Sequence, residues 1–325
     1  MNPTPGLGGR PRPKDKRDYQ SSSLGMAGLY PDTISAPVPY VYMQGTYGTC
    51  GAHAGTALMN VLFPGKIFCP KFLWKIIKTF DGFGLNDGTD MRSIFKALQK
   101  PDPSGPDANA IRGVCELSLL DNSLEGSIEQ YSDISEVTPT MISNAKQYQI
   151  DKYGFIDTPN MAQIKQAIST YKAVLLLVDC GDGWWLPSWG PQNNPLHVGN
   201  LVGHHFICAT EYGLVIVDGP NSWSVAWGDK GMFNFDASYI PHVLELGFAT
   251  LPTAPVQYKY NNNLYFGMTN NADVHALQVR LGMPADCQTG NFYWKTMLAV
   301  MSYQRSNGIS ASGFVGPITR TSLNK

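Results

Sequence analysis

Gln44-Gly-Thr-Tyr-Gly-Thr-Cys50-Gly-Ala-His-Ala-Gly-Thr-Ala-Leu-Met-Asn60 runs from a glycine-rich turn into small and apolar residues at helical spacing. Ala54, Ala57, Leu58, Val61 and Leu62 recur with a helical period, which predicts a buried helix with Cys50 at or near its first turn. A thiol in that position feels the positive end of the helix dipole, which favours its thiolate. Upstream, Gln44 carries a side-chain amide on a flexible turn that can fold it back over the sulfur.

Composition bounds what this stretch can belong to. The chain has 325 residues, which on length alone suggests two domains. Charged side chains make up 15% of it, against about 25% in ordinary soluble domains, and the net charge is −1. A surface so neutral offers no electrostatic grip on nucleic acid or an anionic membrane. No apolar run approaches the ~18 residues that span a bilayer. The six cysteines, at positions 50, 69, 115, 180, 208 and 287, form no Cys-x-x-Cys pair, so neither a metal site nor a disulfide-dense scaffold is expected, and no cofactor is called for. They read as reduced and buried, with Cys50 the exception.

Working outward, residues 1–27 are rich in Pro, Gly and Lys/Arg and lack an apolar core, which predicts a flexible solvated leader and no secretory signal. Residues 28–43 read as extended chain. Helices are expected over residues 71–80, from a cap at Thr89 or Asp90 through Leu98, over 140–152, and from a cap at Thr158 or Asn160 through Tyr171. Residues 173–178 are a short apolar run, expected as a buried strand. The loop at 181–203 carries Trp184, Trp185 and Trp189, either as a ligand wall or as a loop tied down by its own aromatics.

A second chemical stretch follows, His204-His205-Phe-Ile-Cys-Ala-Thr-Glu-Tyr-Gly213, then Leu-Val-Ile-Val-Asp218 and Gly-Pro-Asn221-Ser-Trp223. It reads as a hairpin with His205 at the start of one strand and Asn221 just past the end of its neighbour, so the two side chains can meet. Together with Cys50 and Gln44 they supply the parts of thiol acyl transfer. Cys50 attacks, His205 holds and delivers the proton, and Asn221 accepts the other ring N–H. Gln44 and the Cys50 N–H receive the carbonyl oxygen, and Trp223 roofs the His–Asn contact.

These blocks resemble the papain-like cysteine peptidases of bacterial or phage type. Gln44 to Cys50 is similar to that family's Gln-Gly-x-Cys-Gly-x-Cys, and Asn221-Ser-Trp-Ser-Val-Ala-Trp-Gly-Asp-Lys-Gly231 to its Asn-Ser-Trp-Gly-x-x-Trp-Gly-x-x-Gly. The resemblance implies an α+β fold with a helical half, a β-barrel-like half and a cleft between them. It implies Cys50, His205, Asn221 and Gln44 as catalytic groups, ion-paired at Cys50 and His205 near neutral pH. It also implies Gly88, with Asp87 beside it, as the glycine loop that offers backbone to substrate, with Trp223 and His204 flanking. Three positions depart from the family: Tyr47 where a disulfide Cys is usual, Gly51 where Trp is usual, and Ser224 in place of Gly. No long inhibitory pro-segment fits ahead of residue 28, so no autoprocessing is expected.

The chain changes character after a Pro/Asn-rich connection, placed at residues 253–270 between a peptidase domain at 28–252 and a helical module at 271–325. Val274, Leu277 and Leu281 lie on one helix face, Trp294, Met297, Leu298 and Met301 on another, and Gly316-Pro317 opens a short third helix. The module resembles the small all-α peptidoglycan-binding domain at Leu277-Gln278, Thr289-Gly290, Thr296, Tyr303-Gln304, Gly313 and Gly316-Pro-Ile-Thr319. The resulting expectation is a thiol peptidase, acting on a polypeptide or peptidoglycan-peptide substrate and carried to cell wall by residues 271–325. Its setting would be extracellular or virion-associated. The alternatives are an idle attachment protein that keeps the peptidase fold, as in a phage virion, and a cell-wall stem-peptide hydrolase.

Overall fold

The computed structural model describes residues 6–15, 30–35, 40–86, 88–123, 126–185, 196, 198–252 and 258–324. The chain divides into two compact units, Met1–Pro252 and Thr253–Lys325.

In the first unit a short strand β1 (Gly9–Arg10) precedes the helix α1 (Cys50–Leu62), then α2 (Pro70–Ile77), strand β2 (Thr89–Asp90) and α3 (Met91–Leu98). From Cys50 to Asn60 α1 is buried on every side, as a helix of Ala, Gly and Leu must be when it forms the centre of a core. Pro70 opens α2, where its missing N–H costs nothing. Of the two candidate caps for α3 it is Asp90 that serves, its Oδ1 accepting from Ser93 N at 2.9 Å. Two short helices follow, α4 (Ile128–Ser132) and α5 (Pro139–Ala145). The helix expected over 140–152 stops early because its last residues pair elsewhere: Ile150 N donates to Leu98 O at 3.0 Å and Lys100 N to Ile150 O at 3.0 Å.

The β half comprises β3 (Lys152–Asp157), α6 (Met161–Tyr171), β4 (Val174–Gly181), β5 (Leu201–Ala209), β6 (Glu211–Tyr212), β7 (Val217–Pro220), β8 (Met232–Phe235) and β9 (Val243–Thr250). Asn160 and Gln163 cap α6 reciprocally. The strands form an antiparallel sheet in the order β3-β9-β4-β5 and a second one in the order β6-β7-β8, so this half is two open sheets rather than a closed barrel. β4 is the buried strand expected from its apolar run. One apolar core surrounds α1, α2 and α3, and a second fills the β half. α1 packs against β5.

Two expectations change here. His205 lies in the middle of β5, opposite Val178 of β4, while the hairpin is made by β6 and β7. The chain changes sheet at Thr210, whose N–H donates to Asp218 O at 3.0 Å. Residues 6–15, expected as loose leader, are built into the unit. β1 pairs in parallel with β2, Gly9 opposite Thr89 and Arg10 opposite Asp90.

The second unit holds α7 (Ala272–Arg280), α8 (Trp294–Ser306) and α9 (Pro317–Leu323) around Leu264, Val274, Leu277, Phe292, Val300, Val315 and Leu323. Residues 258–270, read as connection, contribute Tyr260 and Leu264 to this core. The buried face of α8 is Thr296, Val300 and Gln304; Trp294 and Leu298 are exposed, contrary to the apolar face expected. The reason is polar. Gln278 donates to Thr296 Oγ1 at 2.8 Å and accepts from Gly290 N at 2.9 Å. Gln304 donates to Thr319 Oγ1 at 3.0 Å and accepts from Gly313 N at 2.9 Å. Each buried amide thus satisfies loop backbone that would otherwise be unpaired.

Candidate active site

The site is built where the first residue of α1 meets β5 and the end of β7. Cys50 is fully buried, and the backbone N–H groups of Phe206, Gly8 and Gly51 converge on its sulfur. Phe206 follows His205 in β5, so the packing of α1 on β5 sets the thiol beside the backbone of the residue after the histidine, with no hydrogen bond from the sulfur to the imidazole. His205 Nε2 lies 2.8 Å from Asn221 Oδ1. That oxygen also accepts from Ser222 N at 2.7 Å, so Nε2 carries the proton and Nδ1 is the basic nitrogen. Nδ1 is buried without a hydrogen-bond partner.

Ser222 ties this pair to Gln44. Its hydroxyl donates to Gln44 Oε1 at 2.5 Å, and its carbonyl accepts from Gln44 N at 2.9 Å. The Gln44 amide is thereby aimed with its NH₂ toward the groove, where it donates to Gly6 O at 2.7 Å and Tyr47 O at 2.8 Å. Ser222 was not singled out from the sequence, although it sits inside the Asn-Ser-Trp block; its spacing to a distant Gln is invisible before folding.

Trp223 lies over His205 with ring centroids 4.8 Å apart. Trp184 stands edge-on to the same imidazole at 5.7 Å and packs against Trp223 and Trp227. Of the two readings of this loop, Trp184 takes the second, a loop tied down by its own aromatics, and it is buried against the histidine. Trp189 lies outside the described residues, and so does Asp87. His204 flanks the groove and pairs with Asp179 Oδ1 at 3.1 Å. Gly51 faces Thr89 and Ile94 inside the helical half, so it does not shape an open cleft. Ser224 holds φ at 69°, the left-handed conformation for which glycine is the ordinary residue.

The groove is occupied by the chain itself. Residues 6–12 run through it as a strap. Gly6 O takes the Gln44 amide, Gly8 O accepts from Thr89 N at 2.9 Å, and Leu7 packs against the β-side core. The strap lies so deep that it has to be glycine. A Cβ on Gly8 would overlap the carbonyl of Gly48, and one on Gly88 would overlap the carbonyl of Gly8. Gly88, expected to offer backbone to a substrate, thus faces the strap. Beyond it Arg12 is anchored to Asp157 and Glu245. This corrects the expectation of a flexible solvated leader for residues 6–12, which lie in the groove as an extended stretch.

Burial also changes the expected ion pair. It pushes the Cys50 thiol up to about 11, against the pull of the surrounding N–H groups. It lowers His205 to about 4, with the Asn221 hydrogen bond opposing. In this conformation the two groups are neutral near pH 7. The strap presents the Gly8 N–H to the sulfur, while the carbonyl on the Gln44 amide belongs to Gly6. All six cysteines are unpaired, and only Cys287 is not buried. Among the described residues no cluster of His, Cys, Asp and Glu is placed to hold a metal. No described helix is long and apolar enough to cross a membrane.

No protein-family model matches the chain, and no curated protein matches its sequence. Solved structures do. Xylellain, a cysteine protease from Xylella fastidiosa, is similar with a TM-score of 0.61 at 19% identity, over 78% of this chain and 98% of that one. Procathepsin L 3 of the Tenebrio molitor larval midgut gives 0.52 at 17% identity, over 69% of this chain and 71% of its own. Recombinant stem bromelain precursor gives 0.51 at 16% identity, over 76% and 77%. The fold is α+β and papain-like.

Proposed function

We propose that this chain is a cysteine peptidase held latent by its own residues 6–12. The observation that carries the reading is that an extended main chain already lies in the groove with a carbonyl on the Gln44 amide, next to a buried thiol and an imidazole oriented by Asn221. The groove therefore takes polypeptide as its ligand. Once the strap leaves, water and substrate reach the thiol and the burial that keeps the pair neutral is relieved. Cys50 then gives its proton to His205 Nδ1, and the sulfur attacks the carbonyl carbon. Charge develops on an oxygen held by Gln44 Nε2, and the imidazolium returns the proton to the leaving amine. Water repeats the sequence on the thioester. Ser222 is a positioning residue for Gln44. That xylellain is named a cysteine protease, and that the bromelain structure is of a precursor, are consistent with this reading.

The test is peptide hydrolysis by the full chain carrying Gly8→Val, whose side chain cannot fit between Gly48 and Gly88. Cleavage of a generic fluorogenic peptide by this variant, lost again on adding Cys50→Ser, supports the proposal. No cleavage with an exposed Cys50 supports the second reading, an idle attachment protein, which the filled groove and the neutral pair favour. The wall-directed part of the proposal, whether for protein or for stem peptides, rests on the second unit and its likeness to peptidoglycan-binding domains. An extracellular or virion-associated setting goes with it. Retention of the full chain on purified cell wall, reduced by Gln278→Ala, is the expected outcome; no retention removes that part alone.

A further inference from the structure

Asp157 and Glu245 stand directly opposite one another on β3 and β9. Like charges across an antiparallel pair repel, and Glu245 is 4% exposed, so the pair needs a cation between its carboxylates. It has one. Arg12 Nη1 is 2.8 Å from Asp157 Oδ1 and 3.2 Å from Glu245 Oε2, and the Arg12 N–H donates to Glu245 Oε1 at 3.0 Å. The guanidinium lies 4.1 Å from the centroid of the Phe155 ring, which shares its strand face with Asp157. Its side chain is 1% exposed. Burial works against the guanidinium charge, but Glu245 and Asp157 more than offset it, and the pKa is raised.

The acids and the ring belong to strands of the peptidase-like unit; only the arginine comes from the strap. A strap that leaves vacates a recess with two carboxylates and an aromatic floor, continuous with the groove that ends at Cys50. We infer that the recess formed by Asp157, Glu245 and Phe155 is a subsite that selects an arginine side chain of the peptide entering the groove. The inference rests on the peptidase reading for its catalytic consequence, but the recognition itself does not. Arginine is favoured over lysine because its planar group can meet both carboxylates while stacking on Phe155. Arg12 of the strap is then a built-in occupant of the same chemistry as the substrate, reinforced by Lys14, whose Nζ is 2.6 Å from Asp157 Oδ2.

The experiment uses the full chain carrying Gly8→Val and Arg12→Ala, so that groove and recess are both open. Binding of a fluorescent synthetic peptide of residues 6–15 is measured by anisotropy, with arginine or its neutral isostere citrulline at position 12. Hydrolysis is measured in parallel on peptides scanned with Arg, Lys, citrulline or norleucine at each position. The expected result is at least about tenfold tighter binding of the arginine peptide, with the ratio collapsing on adding Glu245→Gln. One scanned position should show the same order in kcat/KM. Equal binding of arginine and citrulline peptides overturns the inference, and so does a ratio indifferent to both Glu245→Gln and the more exposed Asp157→Asn. Arginine-selective binding without hydrolysis upholds the subsite and overturns the peptidase reading instead.

Discussion

Asn221 Oδ1 accepts two hydrogen bonds, from His205 and from Ser222, and through them one carboxamide sets both the tautomer of the base and the aim of Gln44. In the strap-opened background Asn221→Ala should lower kcat by roughly 10²-fold with a smaller change in KM, because a misaimed imidazole spoils the transition state more than binding. Ser222→Ala should cost less, about five- to tenfold, since it removes one hydrogen bond accepted by Gln44 Oε1 while the Gln44 backbone stays bonded to the carbonyl of residue 222. Steady-state kinetics on both variants checks the order; Ser222→Ala as damaging as Asn221→Ala would contradict it. Ser224 offers a separate check of the backbone. Its φ of 69° is a conformation that costs an L-residue about 1–2 kcal/mol. Ser224→Gly should therefore raise the melting temperature by roughly 2–4 °C, and no change or a loss would mean that the exposed hydrogen bond its Oγ accepts from Ala226 N at 3.2 Å outweighs the backbone cost.

At the scale of elements the strap governs what was legible in advance. Gln44, Cys50, His205 and Asn221 stand in short blocks whose residue types state their chemistry, and the helix at Cys50 follows from spacing alone. Glycine-rich residues 6–9 state nothing comparable, because glycine, the very feature that lets them lie against Gly48 and Gly88, reads in isolation as looseness. Arg12 likewise reads as a solvated charge until Asp157 and Glu245, far along the chain, are set side by side by the β3–β9 register. Pairings across the sheet hid the position of His205 too, which sits mid-strand because β4 runs on to meet it. In the second unit α8 turns polar Gln304 inward, against simple amphipathic reading, because that amide serves loop backbone. Gln304→Leu, which a hydrophobicity argument would favour, should destabilise that unit by about 1–3 kcal/mol by orphaning Phe314 O and Gly313 N. Thermal unfolding of the full chain checks it, and a variant as stable as the parent would contradict the role assigned.

The whole first unit carries a pH signature. His53 and His205 are both buried, and burial lowers each to about 4 from an ordinary value of 6.5. A histidine depressed in the folded state lends stability that is fully present above 6.5 and is lost as pH falls toward 4, because the unfolded chain takes up the protons first. Denaturation midpoints should therefore fall steadily across that window. A flat profile would mean that neither imidazole is held neutral.

The central claim is that a reactive thiol lies shut beneath the chain's own strap, and the rate of iodoacetamide labelling at Cys50, mapped by mass spectrometry near pH 6, tests it most directly. In the unaltered protein Cys287 should label first and Cys50 should be as slow as buried Cys208. In Gly8→Val, Cys50 should accelerate roughly 10²-fold while Cys208 does not. Cys50 that labels fast in the unaltered protein, or stays as slow as Cys208 once Gly8 is replaced, would contradict the account.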